Sequence, residues 1–217
     1  MLWLTTTVQA SYLLCFAHCY NLLFIFPTCY PSHHMLGDAL AKGLAEAGHD
    51  VTMISSFKTK DPPKNGKMRE ILLTESSNNK DESLNFFDVE ENVLDDILID
   101  NLIGEKLVMK VLQHPKMQNL IRSNRKFDAV IMEQFFNEAL KPLAKHFNAH
   151  LILFSTVGPK MWVNEFVGSP SPSSYIPDWS LDYSIEMNLF QRTWNLVVQT
   201  IFYVNNHLIF YPGQKKI

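Results

Sequence analysis

Leu22 to Phe26 (LLFIF) is an unbroken apolar run closed by Pro27. A sheet with one face in water would alternate polar and apolar side chains. An uninterrupted run therefore predicts a strand covered on both sides, as in a parallel sheet. After a loop from Thr28 to Ser32, the apolar residues Met35, Leu36, Ala39, Leu40, Leu44 and Ala47 recur at helical spacing, and Gly48 supplies a C-cap signal. Asp50 to Ser55 (DVTMIS) then opens a second β-rich run. Strand, helix and strand within about thirty-five residues make a βαβ unit, which requires a parallel pair and a right-handed crossover.

The pattern returns later in the chain. Between the two units, residues 57–85 are polar and rich in Lys, Asn, Ser and Pro, which suits a surface loop with a short strand at Glu70 to Thr74. Helical patterns follow at Val93 to Leu102, Glu105 to Gln113 and Lys116 to Ser123. Phe127 to Met132 (FDAVIM) then reads as strand, Asn137 to Phe147 as helix and Leu151 to Phe154 (LILF) as strand. Pro159, Pro170, Pro172 and Pro177 mark Gly158 to Pro177 as loop. The tail from Met187 to Phe210 is apolar and aromatic with little charge, as expected of one or two amphipathic helices. The fold class is α/β, an open and mainly parallel sheet flanked by helices, with residues 20–217 as one domain.

Composition narrows the function classes. At 217 residues and 47% hydrophobic the chain can bury a substantial core, and a formal charge of −3 argues against a nucleic-acid binder. Glu90, Glu91, Asp95 and Asp96 alternate with apolar residues and read as a solvated helix face. Cys15, Cys19 and Cys29 form neither a disulfide framework nor a zinc pattern. Val8 to Ala17 has the outline of a secretory signal peptide occupying residues 1–19, although the segment before it lacks Lys and Arg and Gln9 interrupts the core. The alternative is an N-terminus that feeds the first strand. No later stretch is long and apolar enough for a membrane-spanning helix.

In open α/β sheets ligands bind beyond the carboxyl ends of the strands. That rule turns the strand reading into candidate residues. Strand one is followed by Thr28, Ser32, His33 and His34, and strand two by Ser55, Ser56 and Phe57. The strand at Val130 is followed by Glu133 and Gln134, and the last strand by Ser155, Thr156 and Gly158. Histidines and a carboxylate thus converge on one crevice. Taken singly, His33 would read as a loop or N-cap residue and Glu133 as a solvated loop carboxylate.

Three blocks carry a resemblance. FIFPTCYPSHHMLGDALAKGLAEAGHDVTMIS (Phe24 to Ser55) resembles the opening of UDP-glycosyltransferases of the glucuronosyl and glucosyl kind, above all insect members, with a Ser-His pair before the helix and Gly-His-x-Val-Thr entering the next strand. FDAVIMEQFFNEALKPLA (Phe127 to Ala144) resembles a later βα unit of that family. HLILFSTVGPKMWVNEFVGSPSPSSYIP (His150 to Pro177) carries its Gly-x-Pro-x-Pro-x-x-Tyr-x-Pro loop.

The resemblance implies the N-terminal, Rossmann-like, acceptor-binding domain of a GT-B glycosyltransferase. Such enzymes transfer sugar from a UDP-sugar to a small lipophilic acceptor with inversion. His33 matches the family's base and Glu133 the position of its carboxylate partner, where vertebrate members carry Asp. A base must take the acceptor's proton, and a carboxylate on the other ring nitrogen would fix the tautomer. His34 is read as exposed or acceptor-lining, with Phe57, Ser155 and Thr156 as further acceptor contacts, and His49 as a packing residue at the turn into strand two. Ser155 and Thr156 could equally bond their own backbone. No cofactor is implied beyond UDP-sugar as co-substrate. No metal is expected, since His33 and His34 project differently and no third ligand accompanies them. A family-like oligomer and a location in the lumen of the endoplasmic reticulum or the secretory pathway are implied as well.

Gly37, Gly43 and Gly48 do not form a dinucleotide fingerprint, and no phosphate-binding loop appears. The UDP-sugar donor would therefore need the family's C-terminal nucleotide-sugar domain, which is not expected within these residues. Two alternatives stand beside a longer transferase. One is a truncated, non-catalytic module that binds an acceptor or a partner. The other is an unrelated α/β hydrolase, which ranks last because GxSxG is missing.

Overall fold

The computed structural model describes residues 19–73, 93–158 and 160–217. Residues 1–18 of the expected signal segment and the Glu90–Glu91 pair lie outside them. Five strands, β1 (Asn21–Phe26), β2 (Asp50–Ser55), β3 (Met68–Leu72), β4 (Ala129–Glu133) and β5 (His150–Phe154), form one sheet in the order β3-β2-β1-β4-β5. Every pairing is parallel. The chain steps outward from β1 to β3, then returns across it to place β4 on the other side, and this reversal opens a crevice between the carboxyl ends of β1 and β4.

The apolar run of β1 is buried on both faces, as its sequence requires. Its alternation divides the core. Leu23 and Ile25 point into a cluster with Ile54, Val130 and Met132, which is roofed by the long helix α2 (Val93–Gln113) and by α3 (Pro115–Ile121) through Val108, Val111, Met117 and Leu120. Leu22, Phe24 and Phe26 point the other way, against Val51, Met53, Ile131 and the first helix, α1 (Pro31–Glu46). Burying a side chain of this size contributes roughly 1.5–3 kcal/mol, so the central strand anchors both layers.

Helix α1 differs from its sequence reading in two ways. It begins at Pro31, inside the expected loop, because a proline at the first helical position has its φ already set and no N–H to leave unpaired. Its buried face is not the large apolar set. Gly37, Ala41 and Ala45 face inward, while Met35, Leu36 and Leu40 remain exposed. The close approach to the Phe26 ring explains the choice, since a Cβ at position 37 would lie 2.4 Å from its Cδ1.

Other boundaries also moved. The two expected helices at Val93 to Gln113 are one, running through Gly104, where a Cβ would sit 2.6 Å from the Phe136 carbonyl oxygen. The expected helix at Asn137 to Phe147 is a 3-10 turn (Glu138–Leu140) followed by α4 (Pro142–His146), because Pro142 can start a helical turn but not continue one. A short helix, α5 (Met161–Phe166), interrupts the loop expected at Gly158 to Pro177. The aromatic tail forms α6 (Leu189–Asn205), capped by reciprocal Asn188 and Gln191 bonds. A π-helical turn (Asn206–Phe210) and α7 (Tyr211–Gln214) follow. Val198, Phe202 and Phe210 pack with Ile97, Phe136 and Trp162 in a third cluster. Leu189, Phe190, Leu208 and Ile209 face outward. Among the described residues no helix is long and apolar enough to cross a membrane.

Candidate active site

The crevice between β1 and β4 brings together residues that stand far apart in the chain. Glu133 is the last residue of β4 and is wholly buried, not a solvated loop carboxylate. His33 sits in the first turn of α1, and its Nδ1 lies 2.6 Å from Glu133 Oε1. Taking a carboxylate out of water is costly unless its oxygens find donors. Here the Thr28 hydroxyl donates to Oε2 at 2.9 Å, and the Thr156 hydroxyl donates to Oε1 at 2.9 Å. Thr156 Oγ1 also lies 3.0 Å from His33 Nδ1.

This geometry assigns the ring nitrogens. Glu133 accepts only, so Nδ1 must carry the proton that it receives, and Nε2 then holds a lone pair on the other side of the ring. A side chain in that state can take a proton from a hydroxyl placed at Nε2. Tyr30 and Phe135 wall the imidazole, with ring centroids 5.3 and 4.7 Å away, and Phe135 meets it edge-on.

His34, the next residue, is wired otherwise. It is buried rather than exposed, its Nδ1 lies 2.8 Å from the Ser55 hydroxyl on β2, and its ring packs on Phe57 at 5.5 Å. Burial holds its pKa below the ordinary histidine value, opposed by Asp38 and Glu70 and reinforced by Lys42. Phe57 therefore meets His34 and Ser55, to which its own N–H donates, and not the His33 pair. Ser155 is also apart, since its hydroxyl donates to the carbonyl of Val157 in its own loop. His49 receives the Tyr20 N–H at the turn into β2, the packing place its position suggested.

Two features near the dyad escaped the sequence reading. Phe135 follows Glu133 by two residues, and the strand-end rule pointed at this loop without singling out an aromatic. Lys160 is buried, with its ammonium 3.7 Å from the Trp179 ring centroid and 4.7 Å from that of Phe136. A lone lysine after a proline gave no signal for such a place. Elsewhere, a groove of about 310 Å³ lies at the opposite ends of the strands, lined in part by Asn21, Asp50, Arg69 and Arg125, and it includes none of the dyad residues.

No protein-family model matches the chain. Three proteins of Dactylopius coccus do. UDP-glucosyltransferase 2 is 28% identical over 182 residues, covering 81% of this chain and 34% of that protein. UDP-glycosyltransferase UGT5 is 28% identical over 210 residues, covering 87% and 36%. UDP-glycosyltransferase UGT4 is 23% identical over 177 residues, covering 82% and 35%. Among solved structures, the crystal structure of CalG4, the calicheamicin glycosyltransferase, covers 87% of this chain and 44% of its own with a TM-score of 0.43 and 14% identity. The chain thus spans about a third of the length of the curated relatives it matches. Over most of its length the chain is similar to one stretch of proteins named as UDP-glycosyltransferases.

Proposed function

We propose that this chain forms the acceptor-binding, Rossmann-like domain of a GT-B enzyme that transfers a sugar from a UDP-sugar to a hydroxyl of a small lipophilic acceptor, with inversion. The observation that carries the reading is the 2.6 Å bond between His33 Nδ1 and the buried Glu133, at the point where the strand order reverses. As the acceptor oxygen attacks the anomeric carbon, its proton passes to His33 Nε2, and Glu133 stabilises the imidazolium that forms. Displacement from the face opposite the UDP leaving group inverts that carbon.

The aromatic walls around His33 suit an apolar acceptor, and the relatives' names supply the donor class. His34, Phe57, Ser155 and Thr156 remain proposed acceptor contacts. Binding of the UDP moiety belongs to a partner domain with its own nucleotide site, since anion-binding loops were not found in this sequence. The lumen of the secretory pathway is the proposed location, resting on the apolar run at Val8 to Ala17 and on the resemblance.

The test is sugar transfer to a phenol, measured with the chain alone and joined to a nucleotide-sugar domain of a related transferase. Turnover is expected only in the joined protein and should collapse with His33→Ala while the phenol still binds. Unchanged turnover in that variant would remove His33 from the role of base.

A further inference from the structure

We propose that Thr28 and Thr156 are positioning residues that clamp the Glu133 carboxylate from both flanking strands and thereby fix the His33 ring. The inference rests on the reading of His33 as the base. In the sheet, β4 lies between β1 and β5. Thr28 comes from the loop after β1 and Thr156 from the loop after β5, so the carboxylate at the tip of β4 is held from either side.

The hydrogen-bond arithmetic is restrictive. A hydroxyl has one proton to give. Thr28 gives its proton to Oε2, and at 2% exposure it has little access to water as a substitute partner. Thr156 gives its proton to Oε1, so the part of Oγ1 that faces His33 Nδ1 at 3.0 Å is a lone pair. Nδ1 therefore faces acceptors alone, the Glu133 oxygen and the Thr156 oxygen, and only the tautomer with hydrogen on Nδ1 fits. With each oxygen tied to a different strand, the carboxylate cannot rotate, and the imidazole it orients keeps one attitude.

The clamp also accounts for glutamate at this position. An aspartate would withdraw both oxygens by about 1.5 Å, the length of one carbon–carbon bond. From the end of β4 it could not meet Thr28 and His33 together. Glu133 and Thr28 are thus a matched pair in this chain.

Sugar transfer by the joined protein, run beside ¹⁵N-histidine NMR of the same samples, tests the clamp. Thr28→Val keeps the shape and removes the hydroxyl. It is expected to lower kcat on the order of tenfold, as for the loss of a hydrogen bond to a charged group, with acceptor KM within about twofold. Its His33 signal should move from the pure Nδ1–H tautomer towards a mixture. Thr28→Ser should restore both readouts, and Thr156→Val, at a partly exposed position, should repeat the defect if Thr28→Val does not fold. Unchanged kcat and an unchanged His33 spectrum in the valine variants would overturn the clamp, as would a Thr28→Ser defect as deep as that of Thr28→Val. If the unsubstituted protein transfers no sugar, the function reading fails, and the His33 spectrum alone still decides the clamp.

Discussion

His33 and His34 are neighbours in the first turn of α1, yet they reach to opposite neighbours of β1. His33 turns to β4 and meets a buried carboxylate. His34 turns to β2 and meets a serine hydroxyl. The carboxylate can stabilise an imidazolium as it forms, whereas burial favours the neutral ring of His34. Residue type and helix turn are the same for both, so the difference in chemistry comes from which strand each side chain faces. A histidine pair in one turn thus separates into a candidate base and a buried ring bonded to a serine hydroxyl.

The contrast can be broken at its stronger end first. His33→Ala or Glu133→Gln should cost roughly 10²–10⁴-fold in turnover, the usual worth of a positioned base, measured as kcat in the joined protein. His34→Gln should cost far less, and an equal loss would erase the distinction. Next comes the helix that carries both residues. Gly37→Ala sets a Cβ into the Phe26 ring, which is buried between Phe24 and Phe154. It should destabilise the fold by roughly 1–3 kcal/mol in denaturant unfolding and disturb both histidines together. Ser55→Ala is milder. It strips His34 Nδ1 of its partner and should lower stability by about 1 kcal/mol, with the His33 spectrum unchanged.

The smallest effect is the pH dependence of stability. The pKa of His34 is lowered in the folded protein, so as pH falls below the ordinary value of 6.5 the unfolded chain takes up this proton first. Stability from this residue is therefore present above that pH and declines as the solution is acidified towards the folded pKa. His34→Gln should flatten the fall in Tm between about pH 7 and about pH 5, and an undiminished slope would assign it to other groups.

Much of this was legible in sequence because the periodicities were strong. LLFIF read as a strand covered twice, and the rule about carboxyl ends then named His33, Glu133 and Thr156 before their distances were known. What could not be read was whatever depends on fit. The inward face of α1 is small because Phe26 lies beneath it, which the apolar spacing of Met35, Leu36 and Leu40 concealed. His34 looked as open as His33, and only the register of β2 against β1, with Ser55 beside Phe26, shows where its partner stands. The separation of Phe57 and Ser155 from the dyad likewise follows from loop paths that no local pattern encodes.

The sheet order has a consequence in time. His33 and Glu133 are 100 residues apart, and Thr28 and Glu133 are 105 apart. Contacts of such separation close late, because the loop between them must be ordered before they repay it. A chain emerging from the ribosome would hold its histidine long before the matching carboxylate was synthesised. The Nδ1 proton bridging the pair would accordingly date, during refolding, the moment when β4 slots in beside β1.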